Sequence, residues 1–283
     1  MPPKVELIQI RKLSEIVDDS INFLKQNWKP LFKCYFTICG FFWVSGLIIA
    51  VFNQTQTFKL QENGESVYSI TYCCTLLLGF LNFIFITLTT LCYMVLYHEG
   101  NNTPPGVEEV WSYVKYYLLR IVGSSLLLLL LVAAGTICCV IPGIYLAPVC
   151  LLIITIMVIE NASISYAFNQ GFRLIKKNWW ETVGALIVMS IIIVAATALL
   201  AIPVVVIVVG ILSLTAANHS HTISIALSLT LNSLQFLYML PAIAMALIYY
   251  NLNEIKDDNG LMQRIQMFGK QHNTTDHLPT EEY

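Results

Sequence analysis

The sequence predicts an all-α integral membrane protein: six transmembrane helices in three repeated units, each unit an amphipathic interfacial helix followed by a two-span hairpin. Three observations carry this prediction. Hydrophobic residues make up 57% of the chain and charged residues only 11%, where soluble domains carry roughly 25% charged residues. The stretches 34–58, 66–98, 121–159 and 182–253 contain no Asp, Glu, Lys or Arg. Finally, Leu24-Lys25-Gln26-Asn27-Trp28 returns as Ile175-Lys176-Lys177-Asn178-Trp179, each copy ending an amphipathic run and preceding a long apolar segment.

The first unit, about 13–97, opens with Leu13, Ile16, Val17, Ile21, Leu24 and Trp28, spaced by threes and fours as on one face of a helix. Ser14 is read as its N-cap, with Glu15 and Asp18 at the positive end of the helix dipole. Spans follow near 34–52 and 69–97, each long enough to supply the roughly 20 residues that cross a hydrocarbon core of about 30 Å. The second unit, about 106–160, places Val107, Trp111, Val114 and Leu118 on the matching face, with Lys115 in the place of Lys25. Its spans are read near 118–140 and 144–160, joined by a tight turn at Pro142-Gly143. The third unit, about 163–250, repeats the face as Ile164, Ala167, Phe168, Phe172, Ile175 and Trp179. Its spans are placed near 183–202 and 224–250. Pro203 is expected to end span five, leaving 204–214 as a kinked continuation or a re-entrant segment. One straight helix over 183–212 would be about 45 Å long and overshoot a bilayer. A short docking helix is expected at 254–269, followed by a disordered tail at 271–283.

Orientation follows from the cations. With the amino terminus cytoplasmic, fourteen of the fifteen Lys and Arg residues fall on that side or its edge, leaving Lys59 outside. This bias places both termini in the cytoplasm. Trp28, Trp111, Trp179 and Trp180 then stand at the cytoplasmic boundary, where indoles are enriched. With Lys25, Asn27, Lys115, Arg173, Lys176, Lys177 and Asn178 they form a set of interfacial anchors. The cations would meet anionic headgroups at about 1 kcal/mol each.

No ionisable group lies within a span, so the usual signature of proton relay or ion coupling is missing. Asn82, Asn232 and Gln235 are the intramembrane polar candidates, read first as interhelical hydrogen-bonding groups. His219 with His221, and the tail residues His272, Asp276 and His277, are read as solvated rather than metal-ligating. The eight cysteines fall in or beside spans without a C-x-x-C pair and read as small apolar side chains. Glu160 reads as a helix-boundary charge. No catalytic constellation, metal site or cofactor is expected, and no nucleic-acid partner.

Four motifs occur in order: Ser20-Ile21-Asn22-Phe23-Leu24-Lys25-Gln26-Asn27-Trp28, Ile141-Pro142-Gly143-Ile144-Tyr145, Ile159-Glu160-Asn161 and Tyr249-Tyr250-Asn251-Leu252. In this the chain resembles the bacterial six-span proteins grouped with the membrane domain of glycerophosphoryl diester phosphodiesterase. The resemblance implies a multi-pass protein of the bacterial inner membrane. In fused members a separate soluble barrel carries the hydrolase, and beside six spans this sequence leaves no room for one, so hydrolase activity is not expected. The expected function is a non-enzymatic module that associates with membrane lipids or with another membrane or cytoplasmic protein. The alternative is a transporter or efflux protein for a neutral or apolar solute, rearranging around Pro203 and Pro241. A membrane-embedded enzyme acting on lipid is third.

Overall fold

The computed structural model describes residues 5–62, 70–138, 140–212 and 220–257. After an irregular segment at 5–12, the chain forms α1 (Leu13–Glu62), α2 (Ile70–Glu99), α3 (Val107–Cys138), α4 (Val140–Ile159), α5 (Ile164–Leu212), α6 (Ser220–Ser233), a 3₁₀ segment (Leu234–Tyr238) and α7 (Met239–Asp257). No strand occurs among the described residues. Among the described residues, six helical segments are long and apolar enough to cross a membrane, the sixth combining α6, the 3₁₀ segment and α7. The His219/His221 pair, the tail residues, the docking helix beyond Asp257 and the side chains of Lys59 and Lys177 lie outside the described residues.

Helices α2, α4 and α7 touch one another and form an inner layer. Around them, α1 packs against α2, α6 and α7, α3 against α2 and α4, and α5 against α4, α6 and α7. Burial follows the same division. The most apolar stretches of α1, α3 and α5 are 22%, 22% and 11% buried, against 50%, 56% and 50% for the three inner spans. The outer helices therefore present large apolar side chains away from the bundle, among them Phe41, Leu119, Ile137 and Leu199, each at least three-quarters exposed. A soluble monomer rarely carries so much contiguous apolar surface.

Buried positions recur along the outer helices at the offsets of the sequence motifs. Ile16, Ser20, Leu31, Cys34 and Ile38 of α1 correspond to Ala167, Gly171, Thr182, Ala185 and Met189 of α5, all buried. At the smaller offset, Ser20, Asn27, Leu31, Cys34 and Ile38 correspond to Val110, Tyr117, Ile121, Ser124 and Leu128 of α3, again all buried. Two hydroxyls in these stripes are satisfied within their own helices, Ser20 Oγ donating to Ile16 O at 2.6 Å and Thr182 Oγ1 to Asn178 O at 3.0 Å. Such internal bonding lets a polar side chain sit where no water is available. Close approach also depends on small residues: a Cβ on Gly171 would lie 2.9 Å from Ile153 Cγ1, and one on Gly184 would lie 2.7 Å from Leu13 Cδ1.

Several sequence expectations are corrected. The amphipathic segments of the first two units are not separate helices but the opening turns of α1 and α3. Pro30 stands within α1 without ending it, because its fixed φ is helical and the helix forfeits one hydrogen bond while its neighbours remain paired. In the third unit the junction is a backbone kink at Asn178, with φ −118° and ψ 27°. Helix α3 ends at Cys138 and α4 begins at Val140, so Pro142 and Gly143 belong to the first turn of α4, where a missing amide hydrogen costs nothing. Pro203 does not end span five, since α5 continues as helix to Leu212. Of the two readings of 204–214, the structure shows the continuation: residues 204–212 extend the helix past Pro203, and 213–214 lie outside the described residues. Glu254, read as the start of a docking helix, is a buried residue of α7. The N-terminal cap of α1 also shifts, because the Lys12 amide donates to Glu15 Oε2 at 2.9 Å, the backward half of a capping box.

Candidate functional site

A partly open cavity of about 460 Å³ lies between α2, α4, α5 and α7. Its wall combines Phe83 and Thr87 of α2, Ala147 and Leu151 of α4, side chains of α5 from Val183 to Val194, and Tyr238 with Pro241 at the junction of the 3₁₀ segment and α7. A second cavity of about 230 Å³ lies toward α3 and shares Phe83, Thr87, Ala147 and Leu151 with the first. The two spaces therefore flank the seam between α2 and α4. Their linings are almost wholly apolar, with Thr87, Ser125, Thr155, Ser190 and Tyr238 supplying the hydroxyls. The Ser125 hydroxyl is buried and without a hydrogen-bond partner. The larger volume falls in the range of about 300–1,000 Å³ typical of small-molecule sites.

Beside this space the structure brings Asn82, Gln235 and Asn232 together. Asn82 Nδ2 donates to Gln235 Oε1, and Gln235 Nε2 donates to Asn232 Oδ1 at 2.8 Å. Asn232 Nδ2 in turn donates to Ser228 O at 2.8 Å. Asn82 is 4% exposed and its Oδ1 has no partner. The relay spans the point where the sixth span changes from α-helix to 3₁₀, a change of winding that commonly marks a hinge. It adjoins the cavity through neighbours in the chain, Phe83 following Asn82 and Tyr238 three residues after Gln235, with their rings edge to face at 6.4 Å. Replacing Gln235 with Leu leaves both polar ends of the Asn82 amide unpaired. A loss of about 1–3 kcal/mol is expected from unfolding in detergent, and the double change Asn82→Leu with Gln235→Leu should recover much of it.

The interfacial set divides by burial. Lys25, Trp28, Trp111, Lys115, Arg173, Lys176 and Trp180 are exposed. Lys115 Nζ stands 5.4 Å from the Trp111 ring, and Lys29 Nζ 5.9 Å from that of Trp28. Arg173 donates to Gln170 Oε1 at 2.7 Å. Asn27 instead turns inward at 3% exposed, its Nδ2 donating to Phe23 O at 3.2 Å and its Oδ1 accepting from the Tyr93 hydroxyl at 3.1 Å. It pins α1 to α2. Changing Asn27 to Leu strands the Tyr93 hydroxyl, and a loss of about 1–2 kcal/mol is expected in the same unfolding assay. Asn178 is the kink itself, and Trp179 stacks on Tyr145 at 5.5 Å and 19°, with Nε1 directed at Tyr145 O at 3.4 Å. Trp180 is the outward indole of that pair, at 80% exposed. Glu160, at the end of α4, accepts from the Tyr249 hydroxyl at 2.6 Å and so ties α4 to α7.

Sequence reasoning missed Arg11. Its side chain is 1% exposed, with Nε on Asp19 Oδ2 at 2.6 Å and the remaining donors on Leu7 O, Gln9 O and Glu6 O. Its backbone amide donates to Asn251 Oδ1 at 2.9 Å, joining the N-terminal segment to α7. In the sequence Arg11 is one of many cations near a terminus, and nothing in its spacing separates it from Lys12. The seven cysteines with described side chains are free thiols, and no three potential metal ligands converge among the described residues. No family model, curated protein or solved structure matches the chain.

Proposed function

We propose that the chain is a non-enzymatic, multi-pass module of the bacterial inner membrane that holds the acyl portion of membrane lipids. It is built from three units, each a two-span hairpin whose first helix opens with an amphipathic segment, with both termini in the cytoplasm. The observation that carries the reading is the pair of apolar cavities flanking the seam between α2 and α4, enclosed by helices whose outer faces are themselves apolar. The recurrence of buried positions in α1, α3 and α5 supports the three-unit organisation. Exposed Lys25, Lys115, Arg173 and Lys176, together with Lys177, supply cations for anionic headgroups at the cytoplasmic edge.

Ala147 lines both cavities, so Ala147→Trp fills the shared wall while adding no charged group. Native mass spectrometry of the purified protein should find tightly held lipid on the unaltered chain and at most a tenth as much on the variant. Equal lipid retention by a folded variant would overturn the reading. A transporter of an apolar solute is the second reading, favoured by the 3₁₀ interruption in the cavity wall. Solute flux into reconstituted vesicles, lowered by Asn232→Leu or Gln235→Leu, would favour that reading.

A further inference from the structure

A third concavity lies away from the apolar cavities and has a different character. It is a cleft of about 330 Å³ lined by Ser112, Tyr113, Tyr116 and Tyr117 of α3 and by Asn161, which follows α4. The spacing of Tyr113, Tyr116 and Tyr117 puts all three on one face of α3 near its beginning. The rings of Tyr116 and Tyr117 meet at 85° with centroids 4.9 Å apart, forming a corner, and Tyr113 is inclined 50° to Tyr117 at 6.5 Å. Tyr117 is buried, whereas Tyr116 is 68% exposed and stands at the entrance.

Charge is arranged on two sides of this corner. The Tyr113 hydroxyl donates to Glu99 Oε2 at 3.3 Å, which places a carboxylate beside the first ring. Arg120 donates to Asn161 Oδ1 at 3.1 Å, which places a guanidinium beside the opposite wall. Asn161 holds its position in a left-handed backbone conformation, φ 49°, which asparagine tolerates better than most residues. The Lys115 ammonium is engaged over Trp111.

We propose that this cleft is a binding site for a zwitterionic group carrying a quaternary ammonium and a phosphate, as in phosphocholine. Aromatic faces attract a cation that has no hydrogen to donate, which is how cages of this kind recognise quaternary ammonium. Glu99 adds its charge from one side. On the other, Arg120 turns from the neutral Asn161 oxygen to the phosphate, exchanging a neutral acceptor for an anionic one. The chemistry is shared by a lipid headgroup and a soluble phosphocholine. The site goes beyond acyl retention and shares no residue with the apolar cavities.

The test uses the full chain in nanodiscs of phosphatidylglycerol, titrated calorimetrically with phosphocholine, choline and inorganic phosphate. Saturable binding of phosphocholine is expected, with choline weaker. Tyr116→Leu, at an exposed position, should weaken both about tenfold, whereas Tyr116→Phe should retain them because the ring is kept. Arg120→Gln should weaken phosphocholine about tenfold and leave choline unchanged. Nanodiscs containing phosphatidylcholine should compete if the lipid headgroup reaches the cleft, and fail to compete if only the soluble group does, while Ala147→Trp should leave all these affinities as they were. Phosphate binding as tightly as phosphocholine, or Tyr116→Leu binding like the unaltered protein, overturns the proposal, as does the lack of saturable phosphocholine binding.

Discussion

Replacing Arg11 with Met is expected to lower the stability of the bundle by about 3 kcal/mol, the scale for breaking a buried ion pair by removing one partner. The guanidinium holds Asp19 and the carbonyls of Glu6, Leu7 and Gln9. Without it, the carbonyl of buried Leu7 loses its donor. The N-terminal segment then detaches, and with it the bond from the Arg11 amide to Asn251 on α7. Asp19→Asn should cost less than Arg11→Met, because the amide oxygen of Asn can still accept from Arg11 and the guanidinium keeps the carbonyls of Glu6, Leu7 and Gln9. The double change measures the coupling between them. Unfolding in detergent, with protease sensitivity near residue 10 as a local readout, checks the result. An Arg11→Met protein as stable and as resistant as the original would mean that the segment contributes nothing.

The second large effect is expected at Gly143. A Cβ there would collide with the Thr136 hydroxyl and lie 3.0 Å from the Thr136 α-carbon. Because one of those atoms is backbone, side-chain rotation cannot relieve the crowding. Gly143→Ala should cost about 2–3 kcal/mol, within the range for overpacking a filled site, and Gly143→Val more. Thr136→Ala removes the hydroxyl and should restore part of the loss, but not all, since the crowding against the Thr136 backbone persists. Unfolding in detergent checks all three variants. Gly135 lies on the same seam, where its Cβ would come 3.0 Å from Leu146. Helices that approach this closely depend on packing, because lipid provides no hydrophobic drive to bring them together.

The contrast between Gly143 and Pro203 marks what the sequence could convey. The spans were legible because the charge-free stretches are long and the insertion energetics of the leucine run Leu126 to Leu131 leave no ambiguity. Helix ends were not, because a proline signals a break only when the lost hydrogen bond outweighs continuation. At Pro30 and Pro203 continuation wins. The two copies of the motif fall within α1 and α5, yet Asn27 and Asn178 took different tasks, one a buried pin and the other a kink. A motif fixes residue type but not which neighbour it meets. Asn82 and Gln235 were identifiable as polar residues in apolar runs, whereas their pairing depends on how α2 sits against the sixth span. The apolar cavities have no sequence signature at all. Their linings read like any other core, and the space arises from side chains of four helices that fail to meet.

The alternating passage of α1 to α7 through a bilayer is the claim on which the functional reading depends, and site-directed cysteine labelling tests it most directly. In a background lacking the native cysteines, Gly64→Cys and Ala217→Cys should react with a membrane-impermeant maleimide in intact cells. Thr103→Cys and Ser163→Cys should react only after the membrane is opened. Gly64→Cys and Ser163→Cys reacting from the same side would contradict the six-crossing arrangement and everything inferred from it.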